Sequence, residues 1–267
     1  MRAMTADPVA APVPALPARA RDVLSSEWTK LRSLRSTYWT LLIASVTAIG
    51  GSTLSAVSAA HANSSPFDPV AGIFVGWLEY PVLAIGILGV LTFTAEYSSG
   101  QIRMTFAAVP QRLAVLAGKA GVLGAVTLIV GEVLAFIAFF LTQAILSGHG
   151  NAIALSQPGV LRAVLTGGLT LSLIALLGLG LGGLIRHTGG AVAALPAVLY
   201  LPLLVATLPA PWNDRIGRFT FLFAAYQEVT SRPAAHLFSP GISYVVLIAW
   251  PAAALAAAGF LLVRRDA

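Results

Sequence analysis

The chain has 267 residues, of which 57% are hydrophobic and only 10% charged, against about 45–50% and about 25% in a soluble domain; a soluble globular protein is excluded and a membrane protein indicated. Sixteen Lys and Arg against ten Asp and Glu make it basic, but in so apolar a chain such residues mark cytoplasmic loops rather than a nucleic-acid surface. Cysteine is absent and the four histidines, His61, His149, His187 and His236, have no ligand spacing to one another, which leaves no disulfide and no metal site to propose.

Residues 1–20 carry Pro8, Pro12, Pro14 and Pro17, a spacing that denies a continuous helix and predicts a disordered cytoplasmic tail. Arg19 and Arg21 follow its apolar part rather than precede it, which argues against a secretory signal. Residues 21–267 then form one membrane domain.

The stretch SEWTKLRSLRSTYWTLL, ending at Leu42, passes abruptly from basic and aromatic to uncharged. Leu24, Trp28, Leu31, Leu34 and Tyr38 recur at steps of four, three, three and four, one stripe of an amphipathic helix, with Lys30, Arg32, Ser33 and Ser36 off it. A basic helix of this kind lies along headgroups, with Trp28, Tyr38 and Trp39 at the interface.

Six runs are long enough to span a bilayer as helices: about 38–60, 72–94, 120–146, 163–185, 191–208 and 242–263. The fifth is the shortest and contains Pro196 and Pro202, which predict a kink. Twelve Lys and Arg fall on one side of these spans and four on the other, placing both termini in the cytoplasm. The predicted fold is thus an all-α integral membrane protein of six transmembrane helices.

Between the second and third spans, AEYSSGQIRMTFAAVPQRLAVLAGKAG is longer than a simple connection. Ser98-Ser99-Gly100 signals a turn, Gln101 to Ala108 can form a short helix, Pro110 interrupts it, and Gln111 to Gly118 resumes a helix toward the membrane. A short helix held on a loop is a shape that another protein can grip.

In these features the chain resembles the permease subunits of type 2 ATP-binding-cassette (ABC) exporters, in the short form common in actinobacteria. The resemblance rests on the basic stretch before the first span, on EYSSGQIR…VPQRLAVLAGK between the second and third, and on the terminal VRRDA. It implies an elbow helix carrying Trp28, Lys30, Arg32 and Arg35, and an ATPase-coupling loop that includes Glu96, Gly100, Arg103, Pro110, Arg112 and Lys119; Gln101 stands where that family has a small residue. It also implies a separate ATPase subunit, which binds ATP and Mg, and a second permease subunit, in a homodimer or a heterodimer of the bacterial plasma membrane.

The chain itself has no phosphate-binding loop, since Gly118-Lys119 is followed by alanine and lacks the upstream glycine. GLGLGG at Gly178 to Gly183 formally matches a dinucleotide fingerprint, but it lies inside a span with no preceding strand, so Gly178 and Gly182 read as close-packing positions. No intramembrane hydrolase motif is present either; a non-enzymatic permease without a cofactor of its own is expected. Glu132, about 20 Å into the third span from Lys119, would line the pathway or a subunit seam, or be a neutral acid bonded to a neighbouring helix. Glu79, beside Trp77 and Tyr80, reads as interfacial.

The last external segment, 209–241, places Ile216, Phe219, Phe223 and Tyr226 on one helical stripe docked at the outer membrane face. Apolar spans suggest an apolar or amphipathic substrate. An ion-coupled secondary transporter and a non-transporting membrane scaffold are the alternatives.

Overall fold

A computed structural model describes residues 19–61, 76–148, 152–230 and 238–264; the tail predicted for residues 1–20 lies almost wholly outside them. The described residues form helices and loops, with no strand among them. In chain order the helices are α1 (Ala20–Ser33), α2 (Arg35–His61), α3 (Pro81–Ser98), α4 (Gln101–Ala108), α5 (Arg112–Ser147), α6 (Val160–Ile185), α7 (Thr188–Leu199), α8 (Leu201–Val205), α9 (Trp212–Gly217), α10 (Phe221–Val229) and α11 (Pro240–Arg264).

Among the described residues, five helical segments are long and apolar enough to cross a membrane: Arg35–Ser58, Gly76–Ser98, Arg112–Ser147, Val160–Ile185 and Gly241–Arg264. The run predicted as a fifth span in chain order is instead divided. Pro196 and Pro202 each lack an amide hydrogen, and Tyr200 breaks the path between α7 and α8 with φ −93° and ψ 7°. At 12 residues, α7 rises only about 18 Å, short of the hydrocarbon thickness.

α6 is the hub: it is largely buried and packs against α3, α5 and α11. Glycines let it approach all three neighbours. A methyl added at Gly178 would lie 2.1 Å from the carbonyl oxygen of Gly86, and one added at Gly89 would lie 2.0 Å from that of Ala175, so α3 and α6 cross backbone to backbone. Gly180 and Gly183 face Ala254 and Ala258 of α11, while Gly168 faces Gly131 and Glu132 of α5. The GLGLGG run therefore serves two interfaces at once, Gly178 and Gly182 on α3 and Gly180 and Gly183 on α11.

α2 packs through another small-residue stripe, Ala44, Ala48, Ser52 and Ala56, all buried at spacings of four, and turns Leu42, Ile43, Val46 and Leu54 outward. Trp77 is wholly buried and its indole donates to the carbonyl of Gly167 at 2.9 Å, while Glu79 is exposed and its carbonyl accepts from the Tyr200 hydroxyl.

Two stripes read from the sequence are interrupted. The stripe from Leu24 to Tyr38 breaks at Leu34, whose extended backbone (φ −85°, ψ 122°) separates α1 from α2. The stripe from Ile216 to Tyr226 is split between α9 and α10, because Thr220 is extended at φ −81° and ψ 148°. The break is held by contacts: Trp250 donates to the Phe219 carbonyl at 2.9 Å, and the Arg218 guanidinium stacks over Phe219 and Phe238.

Candidate functional site

At the end of the molecule that carries α1 and α4, four charged side chains from three helices converge. Lys119 sits two turns into α5 and is 1% exposed. Its ammonium donates to Glu27 of α1 at 2.7 Å and, at very short range, to Glu96 in the last turn of α3. Lys30 of α1 donates to the same two carboxylates, at 2.8 Å to Glu27 and 2.9 Å to Glu96. Thr105 of α4 joins the cluster, accepting from Lys30 at 3.4 Å and donating to Glu96 at 3.3 Å.

Two carboxylates and two ammonium groups make the cluster electrically neutral. Glu27, Glu96 and Lys119 are buried, and Lys30 keeps about a third of its side chain exposed beside a cavity of about 390 Å³ lined also by Leu34, Ser99 and Gln101. Burial alone would lower the Lys30 pKa, but its hydrogen bonds and charge interactions with Glu27 and Glu96 outweigh that and hold it above the ordinary lysine value. Its share of the stabilisation is therefore complete at neutral pH and fades only as pH rises through that raised value.

Local sequence explains how these groups reach one another. On α1, Val23, Glu27 and Leu31 recur every four residues and form the buried stripe. Val23 lies against Gly118, where an added methyl would come within 2.7 Å of it, so α1 meets α5 one residue before Lys119. Of the stripe read from the sequence, Leu24 and Trp28 are exposed, at 43% and 47%, as are Leu34 and Tyr38, while Leu31 is buried. Gly100, at φ 73°, occupies the left-handed region and reverses the chain between α3 and α4. Ile102, 3% exposed, anchors α4, while Arg103, Met104, Ala107 and Ala108 point away from the protein.

The loop between the second and third spans is shorter than the sequence reading has it. Glu96 and Lys119, expected in the loop, are helical residues of α3 and α5, leaving α4 and two short links between them. Pro110 lies exposed in the second link. Arg112 begins α5 and reaches the last helix, donating to the Leu262 carbonyl at 2.7 Å and stacking over Phe106. Arg186, in the left-handed region at φ 57° after α6, donates to the adjacent Leu261 carbonyl at 3.0 Å and stacks over Tyr97. Together the two arginines cap the carbonyl end of α11, where positive charge is favoured.

Of the sequence-predicted residues, Lys30, Glu96 and Lys119 meet in the cluster. Arg103 does not join it, and Trp28, Arg32 and Arg35 are exposed outside it. Glu27, Thr105, Met104 and Arg186 were not among the expected site residues. The signal for Glu27 was its position as the one acid among the basic residues of that stretch, three residues before Lys30, a helical pair spacing. Glu132 lies far from this cluster, against Gly168 in the α5–α6 seam, and its Oε2 has no partner among the described residues.

At the opposite end of the molecule, Arg162 near the start of α6 donates to Glu228 of α10 at 2.8 Å and to the Thr230 carbonyl at 3.3 Å. Glu228 is fully buried, and burial pushes its carboxyl up to about 7 against the opposing pull of Arg162. A carboxyl with a raised folded-state pKa favours folding while protonated, so its contribution is full below about pH 4.3 and is lost as pH rises toward 7. Glu228→Gln is accordingly expected to flatten the decline in thermal stability across that interval, as measured by unfolding in detergent at a series of pH values.

No protein-family model and no curated protein matches the chain.

Proposed function

We propose that this chain is the transmembrane subunit of an ATP-driven ABC transporter, an exporter of the bacterial plasma membrane with both termini cytoplasmic. It would work as a dimer with a second permease subunit and with a separate ATPase that binds ATP and Mg. The observation that carries this reading is the buried cluster of Glu27, Lys30, Glu96 and Lys119, which ties the short surface helix α4 to α1 and α5.

A loop that receives force from a motor must not yield. Here α4 is anchored by Ile102 on one side and by Thr105 on the charge cluster, and its outer face presents Arg103 and Met104, the latter 75% exposed. ATP-driven closure of two motor subunits would push α4. The cluster would carry the displacement into α1 and α5, and Arg112 would carry it into α11 through the Leu262 carbonyl. Access would then switch from one side of the membrane to the other. The apolar spans suit an apolar or amphipathic cargo.

The outer face of α4 provides the test. Met104→Asp combined with Arg103→Glu alters two exposed side chains and should leave the purified subunit as thermostable as the wild type. Loss of a central contact of this kind is worth about 2 kcal/mol or more, so co-purification of the ATPase is expected to weaken by at least about tenfold. Full retention of the ATPase by the double variant would contradict the assignment. An ion-coupled carrier is the competing reading, favoured by the unpartnered oxygen of Glu132 in the α5–α6 seam.

A further inference from the structure

α1 meets α5 through Val23 at Gly118 and through the Glu27–Lys119 ion pair. At Gly121 the nearest group to an added Cβ is a methyl of Leu24, at 3.7 Å. Beside this contact lies a groove of about 980 Å³ whose floor is almost wholly apolar, formed by Val122, Ala125, Val126 and Ile129 of α5. Gly121 to Val130 rises about 14 Å, close to the roughly 15 Å of hydrocarbon in one leaflet.

The rim differs from the floor. Arg21, Leu24, Ser25 and Trp28 recur on α1 at the spacing of a single helical face and line the groove's edge. Arg21 is exposed with no ion-pair partner among the described residues, Ser25 donates to its own helix at the Asp22 carbonyl, and the Trp28 indole N–H has no acceptor there. Arg19 stands beside Arg21, so the two cations outweigh Asp22 at this end of α1.

We infer that this groove is a specific site for an anionic phospholipid, its acyl chain lying along Val122, Val126 and Ile129 and its phosphate held by the Arg21 guanidinium and the Trp28 indole N–H. A second copy of the chain would cover the apolar floor but would have to desolvate Arg21 or supply a carboxylate to it. A lipid satisfies both parts at once: the chain replaces water on the floor, and the headgroup remains in the wet interface with the cation. The site would also link lipid to the charge cluster, because Trp28 and Glu27 are neighbours on α1 and any seating of α1 by the lipid bears on the placement of Glu27. The inference needs only a membrane-embedded α5 with α1 at the interface, so it stands apart from the ATPase assignment.

Native mass spectrometry of the delipidated full-length protein, titrated separately with dioleoylphosphatidylglycerol and dioleoylphosphatidylcholine, tests it. The first phosphatidylglycerol bound is expected to hold about fivefold more tightly than the first phosphatidylcholine, the preference that one arginine near a membrane surface supplies. Arg21→Gln should bring the two lipids to parity, whereas Arg215→Gln at the opposite end should leave the preference unchanged. Ala125→Phe, at an exposed position on the groove floor, should remove the first tight site for both. Equal binding of the two lipids by the wild type, or a preference that survives Arg21→Gln, overturns the inference. So does an Ala125→Phe variant that keeps its lipid site but changes from dimer to monomer, since the groove would then belong to a second copy. Arg21 is exposed, so its variant keeps the test decisive even if the phenylalanine impairs folding.

Discussion

Lys119→Met is expected to destabilise the protein by about 3–5 kcal/mol, a large loss for one side chain. Lys119 is 1% exposed and bonds both Glu27 and Glu96, so its removal leaves two buried carboxylates sharing Lys30 alone. Methionine fills most of the lysine volume, which separates loss of charge from loss of packing. On a chain of this size the penalty corresponds to a fall in Tm of roughly 10 °C, measurable by thermal unfolding in detergent. Glu27→Gln made in the same protein should recover part of the loss, because it removes one of the stranded charges, and the two substitutions should therefore be strongly non-additive. Additive losses would mean that the four groups do not act as one cluster.

Gly178→Leu is expected to abolish recovery of a monodisperse protein. Even a methyl at this position would lie 2.1 Å from the Gly86 carbonyl oxygen, which belongs to the backbone and has no rotamer to yield. The helices would have to separate along the same crossing that Gly89 and Gly182 share. Gly50→Leu is the control: an added methyl there meets nothing within 4 Å, and the variant should elute from size exclusion as the wild type does. Equal behaviour of the two variants would show that the α3–α6 crossing is not as close as described.

Much of the helical layout was legible because a bilayer requires long apolar runs and a helix is the way such a run satisfies its own backbone. The division of the loop helix was legible too, since Gly100 and Pro110 act on the backbone locally, and the structure ends α3 and α4 around them. Gly178 and Gly182 could be assigned to close packing, but their partners could not, because the sequence does not say which helix lies opposite. The kink at Pro196 and Pro202 was expected, yet its consequence, a helix too short to span by itself, depends on the additional break at Tyr200.

Which face of α1 packs on the protein was not legible in the sequence. In water an apolar stripe marks the face that packs inward, whereas beside a membrane the lipid offers an equally apolar surface. Leu24 and Trp28 therefore face outward, and the protein takes the stripe of Val23, Glu27 and Leu31. An acid at the centre of that buried stripe becomes intelligible only when Lys119 and Lys30 are seen to meet it. Their separation in sequence, 92 positions in the case of Glu27 and Lys119, hides the arrangement from any local pattern.

The central claim is that α4 receives a motor protein. The direct test is a photoreactive amino acid at Arg103, whose side chain is exposed on the outer face of α4, activated in native membranes and followed by identification of the crosslinked partner. The account predicts a polypeptide carrying a phosphate-binding loop of the G-x-x-x-x-G-K-[ST] type, recovered at Arg103 and not at an exposed control position such as Arg215 on the opposite end of the molecule. Clean recovery of the uncrosslinked chain, under conditions in which a known ABC exporter retains its own ATPase, would contradict it.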